Sequence, residues 1–253
     1  ISKFFVLLFI LFFSCENKTM RDQEGLIVYQ ENQIVWVRNF EPLNPVSICR
    51  WPTRGGIYES LYLNNPITTD WVPWLATNYE WENNNKKLLF TIRPNVQWSD
   101  GEPFSAHDVA YTLNLWKEYP ALDTRNAWEY LKSVVAVSDT LVQINFKRIY
   151  VPGFEAIAGA PIIPKHIWEE LKDPLDFSNP NPVGTGPFTE ILRFNTQVWE
   201  LGKNHNYWQA GKPYVEKLIF PTFSTNEQTT LALLSGKLDW AGAFIPAIQR
   251  IFV

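Results

Sequence analysis

Strand-like runs and capped helical segments alternate along the chain, and this alternation constrains the fold more than any other feature of the sequence. A helix is predicted to begin after Ser105, where Asp108 can complete a capping box, and to end before Pro120. Its buried face is formed by Val109, Ala110, Leu113 and Trp116. Two hairpins, at 78–93 and 133–146, flank this helix in sequence. The mixture predicts the α/β (mixed) class.

Further strands and helices are predicted on both sides of this segment. Strand-like runs occupy residues 26–29, 34–37, 188–193, 197–202 and 238–241. A short helix has Pro164 in its first turn, and another is capped by Thr225 with Gln228 and closed by Gly236. No repeat period relates these segments, which sets the chain apart from repeat architectures.

The composition indicates a folded protein with a sizeable core. The chain has 253 residues, of which 46% are hydrophobic and 19% are charged, enough for one large domain or two smaller ones. A formal net charge of −4 gives no general attraction to nucleic acid or anionic lipid. We interpret the 12 Trp mainly as core residues, with some serving as flat surfaces for ligand stacking.

The N-terminus resembles a bacterial lipoprotein signal. Residues 4–13 are uninterrupted apolar, preceded by Lys3 and followed by Ser14 and Cys15, a run that suits a signal peptide and is too short to span a bilayer. We therefore expect a signal peptide over 1–15 that ends at a lipidated Cys15, and a polar tether over 16–25. The alternative is a short buried helix with a chance cysteine.

Two expectations follow from this interpretation of the N-terminus. The chain has 2 cysteines, so a mature protein acylated at Cys15 keeps only Cys49 and forms no internal disulfide. The chain also begins at Ile1 rather than Met, and we expect that the true start lies upstream.

Seven short motifs follow one another in a fixed order along the chain. The motifs are Ile57-Tyr58-Glu59-Ser60-Leu61, Leu75-Ala76, Trp98-Ser99-Asp100-Gly101 with Pro103-Phe104-Ser105-Ala106 and Asp108-Val109, Ile163-Pro164-Lys165-His166, Gly184-Thr185-Gly186-Pro187-Phe188, Asn204-His205-Asn206-Tyr207-Trp208, and Ser235-Gly236-Lys237-Leu238-Asp239. Together they resemble the family 5 extracellular solute-binding proteins, which include the dipeptide, oligopeptide and nickel receptors of ABC importers. The resemblance runs from about Ile34 to the C-terminus.

The resemblance implies a periplasmic-binding-protein type II fold with two lobes and an inserted domain. The first lobe is then discontinuous, formed by 26–56 and 164–253, and the inserted domain covers 57–163. The second lobe is expected to begin after Val253 and to be missing from this chain by truncation. We therefore expect these 253 residues to bind ligand weakly or not at all, because half of the cleft is absent.

The resemblance also implies a function in transport rather than catalysis. The expected protein is an extracytoplasmic lipoprotein, a monomer at the periplasmic face or cell surface, that captures peptides by lobe closure. It then delivers them to permease subunits with a separate ATPase. The stretch 220–246 resembles a subgroup that includes cello-oligosaccharide receptors, so an oligosaccharide ligand is the main alternative. Nickel, a secreted hydrolase and a structural lipoprotein are further alternatives.

Two segments are predicted to face the ligand, because the family's equivalent stretches line its cleft. They are the loop 41–51 and the stretch 240–244. The candidate ligand-binding residues are Glu41, Trp51, Trp240, Ala241, Gly242 and Phe244. Trp51 and Trp240 are the stacking candidates, and core packing of Trp240 is the alternative.

Neither a metal site nor a catalytic group is predicted from the sequence. His107, His166 and His205 are far apart in sequence and each has a local structural role, whereas a metal site needs convergent ligands. Asp100 and Glu102 flank a glycine turn, where the Asp100 carboxylate is expected to bind its own backbone. We therefore predict no catalytic residue, no metal ligand set and no cofactor.

Gly184-Thr185-Gly186 is not a phosphate-binding loop. The Gly-Lys-Ser/Thr sequence of such a loop does not follow it, and Pro187 removes a backbone donor there. We predict instead a tight crossing between the inserted domain and the first lobe, where glycines let two backbones approach.

Overall fold

The computed structural model describes residues 25–30, 34–43 and 50–242. The strands are β1 (Gly25–Gln30), β2 (Tyr62–Asn64), β3 (Trp71–Pro73), β4 (Ala76–Glu82), β5 (Lys87–Ile92), β6 (Leu131–Ser138), β7 (Leu141–Phe146), β8 (Phe188–Phe194), β9 (Val198–Lys203), β10 (Lys217–Pro221) and β11 (Trp240–Gly242). The helices are α1 (Arg50–Thr53), α2 (Ala106–Glu118), α3 (Gly153–Ala158), α4 (Lys165–Trp168) and α5 (Asn226–Leu234). Predictions for Cys15, Cys49, Phe244 and the Trp51 side chain lie outside the described residues.

One sheet joins the beginning of the described chain to its end. Its strand order is β11-β1-β10-β9-β8, with β1 parallel to both of its neighbours and the other pairs antiparallel. Trp199 of β9 and Phe220 of β10 begin an aromatic cluster on this sheet, with their rings stacked 4.5 Å apart, and Trp36 meets Trp199 edge-on at 5.7 Å. These fully buried rings confirm that tryptophan serves the core here.

A second, four-stranded antiparallel sheet has the order β4-β5-β7-β6. Alternate residues of β5 and β7 are buried, including Leu88, Phe90, Val142 and Ile144, which is the period of a sheet with one covered face. Helix α2 packs on β6 and β7. The two predicted hairpins are therefore confirmed.

The predicted start and end of α2 are also confirmed. The Ser105 side chain accepts from the backbone N–H of His107, and the Asp108 carboxylate accepts from the backbone N–H of Ser105 at 2.9 Å. The helix ends at Glu118, before Pro120. The four predicted core positions of α2 are all buried.

One predicted strand is wrong: residues 34–37 are irregular. Trp36 is buried, but its neighbours Val35 and Val37 are exposed. The Trp36 N–H donates to Thr196 O at 2.9 Å, and the Asn39 N–H turns back to Val37 O at 2.8 Å. The alternating pattern thus reflects one anchored indole in a segment that is irregular rather than a strand.

The crossing at Gly184 and Gly186 is confirmed as a close backbone approach. A Cβ at Gly184 would lie 2.0 Å from Ile57 O, and one at Gly186 would lie 2.2 Å from Gly56 O. The Gly186 N–H donates to Ile57 O at 2.9 Å. Only glycine fits at these two positions, since any side chain would overlap the backbone at 56–57.

None of the helices in the described ranges has the length and apolar character needed to cross a bilayer.

Candidate functional site

A cavity of about 300 Å³ lies beside the β2–β3 ribbon. Its walls come from residues 54–64, from the C-terminal end of α2 and the following loop at 116–125, and from 156–161. The side chains that carry its chemistry are Arg54, Tyr62, Trp71, Trp116, Asp123 and Arg125. A mostly apolar concave surface with a few charged groups is the usual composition of a small-molecule site.

The aromatic wall is held in place by ring packing behind it. Phe154 of α3 meets Tyr62 at 5.5 Å and Trp71 at 5.6 Å, both edge to face. Gly159 leaves room for the Trp71 indole, because a Cβ at this position would lie 3.1 Å from the ring. Trp71 is only half-buried, so part of a fixed indole remains for contact with a ligand.

The loop after α2 presents one carboxylate and one guanidinium to the cavity. Both Asp123 oxygens are engaged, since they accept the backbone N–H groups of Ala127 and Trp128, each at 2.8 Å. Arg125 Nη1 donates to Glu155 O of α3 at 2.9 Å, and the rest of the side chain is exposed. Asp123 thus shapes the loop, and Arg125 supplies a charge at the rim.

The described residues 41–43 of the first predicted ligand-binding loop reach the cavity through Leu43 rather than Glu41. Glu41 is buried, and its Oε1 accepts the Leu43 N–H at 2.7 Å. Leu43 lines the cavity, as does Arg54, whose Nε donates to Pro42 O at 2.5 Å. In the described part of the chain, Glu41 therefore acts on the cavity wall indirectly, by fixing the backbone before Leu43.

The second predicted stretch lies elsewhere in the described structure. Trp240, Ala241 and Gly242 form β11 at the edge of the five-stranded sheet, paired with β1. Trp240 is 49% exposed, and its ring covers the α-carbon of Gly242, where a Cβ would lie 2.8 Å away. None of the three residues lines the cavity at the β2–β3 ribbon.

A buried carboxylate behind the cavity was missed by reasoning from sequence. Glu59 Oε1 accepts from Trp74 Nε1 at 2.6 Å and from the Tyr207 hydroxyl at 2.9 Å, and its Oε2 accepts from Trp208 Nε1 at 3.0 Å. Burial raises the pKa of the Glu59 carboxyl, and the three hydrogen bonds oppose that shift. Burial and the nearby Glu59 likewise raise the pKa of the Tyr207 phenol.

This network joins the cavity wall at 58–60 to the turn that carries Tyr207 and Trp208. Arg93 completes it, with its guanidinium 4.5 Å from the Trp208 ring centre and its Nε donating to Trp74 O at 2.7 Å. The sequence offered one signal, a lone Glu between Tyr58 and Ser60 in an otherwise buried run. Its partners are three aromatic donors, one 15 residues and two nearly 150 residues away in sequence.

The histidines take the separate positions that were predicted for them. His166 Nε2 lies 2.9 Å from Asp100 Oδ2, and His107 Nε2 lies 3.4 Å from Asp139 Oδ1. Asp100 Oδ1 also accepts the Glu102 N–H at 3.2 Å, as expected of a turn residue. Within the described ranges, no three His, Cys, Asp or Glu side chains converge as metal ligands.

The fold is that of the type II periplasmic binding proteins. The solved structure of a periplasmic oligopeptide-binding protein of an oligopeptide ABC transporter from Thermotoga maritima matches with a TM-score of 0.83 and 27% identity, over 91% of this chain and 44% of that one. A second structure of that protein, with mannohexaose bound, matches with the same score and identity over 92% of this chain and 44% of that one. The predicted fold class is confirmed.

The chain belongs to the bacterial extracellular solute-binding proteins, family 5, because the model "Bacterial extracellular solute-binding proteins, family 5 Middle" matches residues 70–252. The nickel-binding periplasmic protein of Escherichia coli K12 is 28% identical over 219 residues, which cover 81% of this chain and 39% of the relative. The oligopeptide-binding protein of Bacillus subtilis 168 is 28% identical over 187 residues, covering 66% and 34%. The chain thus spans less than half the length of these relatives.

Proposed function

We propose that this chain is the ligand-binding part of an ABC importer's extracytoplasmic receptor and that it takes peptides as ligands. The cavity at the β2–β3 ribbon is the observation that carries the proposal, since it combines a fixed indole with charged groups at the rim. Relatives named as oligopeptide-binding proteins support the ligand class. Permease subunits with a separate ATPase are the proposed partners.

The proposed mechanism is capture by closure of a second lobe over the cavity. The open side of the cavity would then be covered, and the ligand would stabilise the closed form by contacting both lobes. In this scheme the first lobe comprises 26–56 and 164–253, with 57–163 as the inserted domain. The five-stranded sheet, formed by β1 and β8–β11, is compatible with that division. Trp51, Trp240 and Phe244 remain proposed ligand contacts, and the ligand leaves chemically unchanged.

We further propose that Cys15 anchors the protein by lipidation at the periplasmic face or cell surface. The support is the apolar run before Ser14-Cys15, together with relatives named as periplasmic proteins. An anchored N-terminus would hold the receptor close to its permease.

An oligosaccharide ligand is the second candidate. The related Thermotoga maritima protein has been crystallised with mannohexaose. The half-buried Trp71 indole is a surface on which the C–H face of a pyranose can pack. The same cavity would then hold one end of a sugar chain.

Ligand-observed NMR on the full-length mature protein, with both lobes of the proposed cleft, separates these candidates. Saturation transfer from protein to a tripeptide mixture, with none to cello-oligosaccharides or mannohexaose, supports the peptide proposal. Transfer only to the sugars supports the second candidate. Absence of transfer to either class contradicts both, and mass spectrometry showing cleaved ligand would contradict a receptor that leaves its ligand unchanged.

A further inference from the structure

We propose that Glu59 is a positioning residue for the wall of the ligand cavity and that the turn at 204–208 acts on the cavity through it. The inference rests on the proposed function and deepens it, because it names a residue that holds the site rather than one that contacts the ligand. The observation that carries it is a carboxylate in the wall whose three donors do not line the cavity themselves.

The Glu59 side chain is held at both of its oxygens. Oε1 accepts from the Trp74 indole and the Tyr207 hydroxyl, and Oε2 accepts from the Trp208 indole. Glu59 is only 2% exposed, and a carboxylate buried to that degree is strongly disfavoured unless it is hydrogen-bonded. The carboxylate therefore stays where its donors hold it, and the position of Glu59 depends on that of Tyr207 and Trp208.

The main chain of Glu59 belongs to the cavity wall. Residues 58–60 line the cavity, as do residues 159–161. The Ile162 N–H, directly after this second segment, donates to Glu59 O at 3.0 Å. A displacement of Glu59 would therefore move two adjoining parts of the wall.

The turn at 204–208 is anchored independently of the cavity. Asn204 is buried, its Nδ2 donates to Gly186 O at 2.9 Å, and its backbone N–H donates to Pro187 O at 2.8 Å. The Tyr207 N–H donates to Asn204 O at 3.2 Å. The turn thus presents the Tyr207 hydroxyl and the Trp208 indole to Glu59 from a fixed position.

The glycine crossing closes the loop of contacts between the turn and the wall. The Gly186 N–H donates to Ile57 O at 2.9 Å, and the Phe188 N–H donates to Gly56 O at 3.0 Å. The segment 56–59 is therefore held twice, by the backbone of the crossing and by the Glu59 side chain. Loss of one hydrogen bond from a connected network of this kind shifts the remaining members.

The first test uses the ligand-free, full-length mature protein with the substitution Tyr207→Phe, which removes one donor to Glu59 and keeps the ring. Trp71 is the reporter, because a Cβ on Gly159 of the wall would lie 3.1 Å from its indole. We expect the indole N–H signal of Trp71 to shift in this variant, although Tyr207 does not line the cavity.

The second test is calorimetric titration of the same protein with trialanine and, separately, with cellotriose. Tyr207→Phe should weaken binding of the probe that the wild type binds by about fivefold, the size typical of a change along a coupling network. Glu59→Gln should also weaken it. In the Glu59→Gln background, Tyr207→Phe should add little, because both changes act through the same carboxylate.

Tyr214→Phe is the matched control. Tyr214 lies in the same connection between β9 and β10, and it is 86% exposed. This variant loses a phenol as Tyr207→Phe does, but it should keep both the Trp71 signal and the affinity of the wild type. Melting curves of all variants check that each is folded at the temperature of the titration.

The outcomes distinguish this inference from the proposed function. A Tyr207→Phe protein that keeps the wild-type Trp71 signal or the wild-type affinity overturns the positioning role, even if its melting temperature falls, and leaves the receptor in place. Fully additive effects of Tyr207→Phe and Glu59→Gln on affinity overturn it as well. If the wild type binds neither probe, the proposed function fails, and the Trp71 signal alone then decides the positioning role.

Discussion

Replacing Glu59 with glutamine is expected to destabilise the protein by about 2 kcal/mol. The change keeps the size of the side chain but turns one acceptor oxygen into an NH₂ group. The least disruptive placement puts that group opposite Trp208 Nε1 and leaves the remaining oxygen for Trp74 and Tyr207. The new side-chain NH₂ group and the Trp208 indole N–H are then two donors that face each other in a buried site.

The size of this destabilisation is the cost of the lost hydrogen bonds less the desolvation of the carboxylate that the amide avoids. A buried donor left without its acceptor costs about 1–3 kcal/mol, and two charge-assisted hydrogen bonds become neutral ones. Against this, the neutral amide escapes the desolvation that raises the pKa of Glu59. For a chain of this size, a net loss of about 2 kcal/mol lowers the melting temperature by roughly 4–8 °C.

Thermal unfolding followed by circular dichroism measures the effect, with Glu216→Gln as the matched control. Glu216 is exposed and lies 3.0 Å from Lys203 Nζ, so its replacement should cost less than about 1 kcal/mol. A melting temperature of Glu59→Gln equal to that of the wild type, or no lower than that of Glu216→Gln, would refute the stabilising role of this network.

The remaining predictions concern pH, the glycine crossing, the helix cap and the anchor. Because the folded-state pKa of Glu59 is raised, its contribution to stability is present at low pH and lost as pH rises through that pKa. The free energy of unfolding of Glu59→Gln should therefore depend less on pH than that of the wild type, and an equal pH dependence of the two would contradict this. Gly184→Ala places a Cβ 2.0 Å from a backbone oxygen and should cost about 1–3 kcal/mol in denaturant unfolding, whereas an unchanged midpoint would contradict the close approach. Ser105→Ala removes the α2 cap and should cost about 1 kcal/mol by the same measurement, with no loss counting against the cap. Cys15→Ala should abolish fatty-acid labelling of the expressed protein, and persistent label would disprove the anchor.

Local signals predicted most of the fold. These signals each involve only a few neighbouring residues, so they can be recognised in the sequence. They are the capping box at Ser105 and Asp108, the polar turn at 83–86 and the alternating strands on either side of that turn. The failed strand at 34–37 shows the limit of this reasoning. Its alternation has the period of a strand, but tertiary packing decides whether a segment with that period joins a sheet.

The candidate site was less predictable because its parts are far apart in sequence. Trp71, Arg125 and the wall at 58–60 meet only after the chain has folded, and none carries a local mark of ligand contact. Family resemblance directed attention to the 41–51 loop, whose described part reaches the cavity through Leu43. The Glu59 motif was recognised as a family feature, but its three aromatic donors could be assigned only from coordinates.

An NMR titration of the tryptophan indole N–H signals with a tripeptide mixture tests whether the cavity beside Trp71 receives the ligand. The Trp71 signal should shift and saturate, while that of the fully buried Trp199 stays in place. A Trp71 signal that does not move when peptide binds, or one that moves no more than Trp199, would contradict the claim.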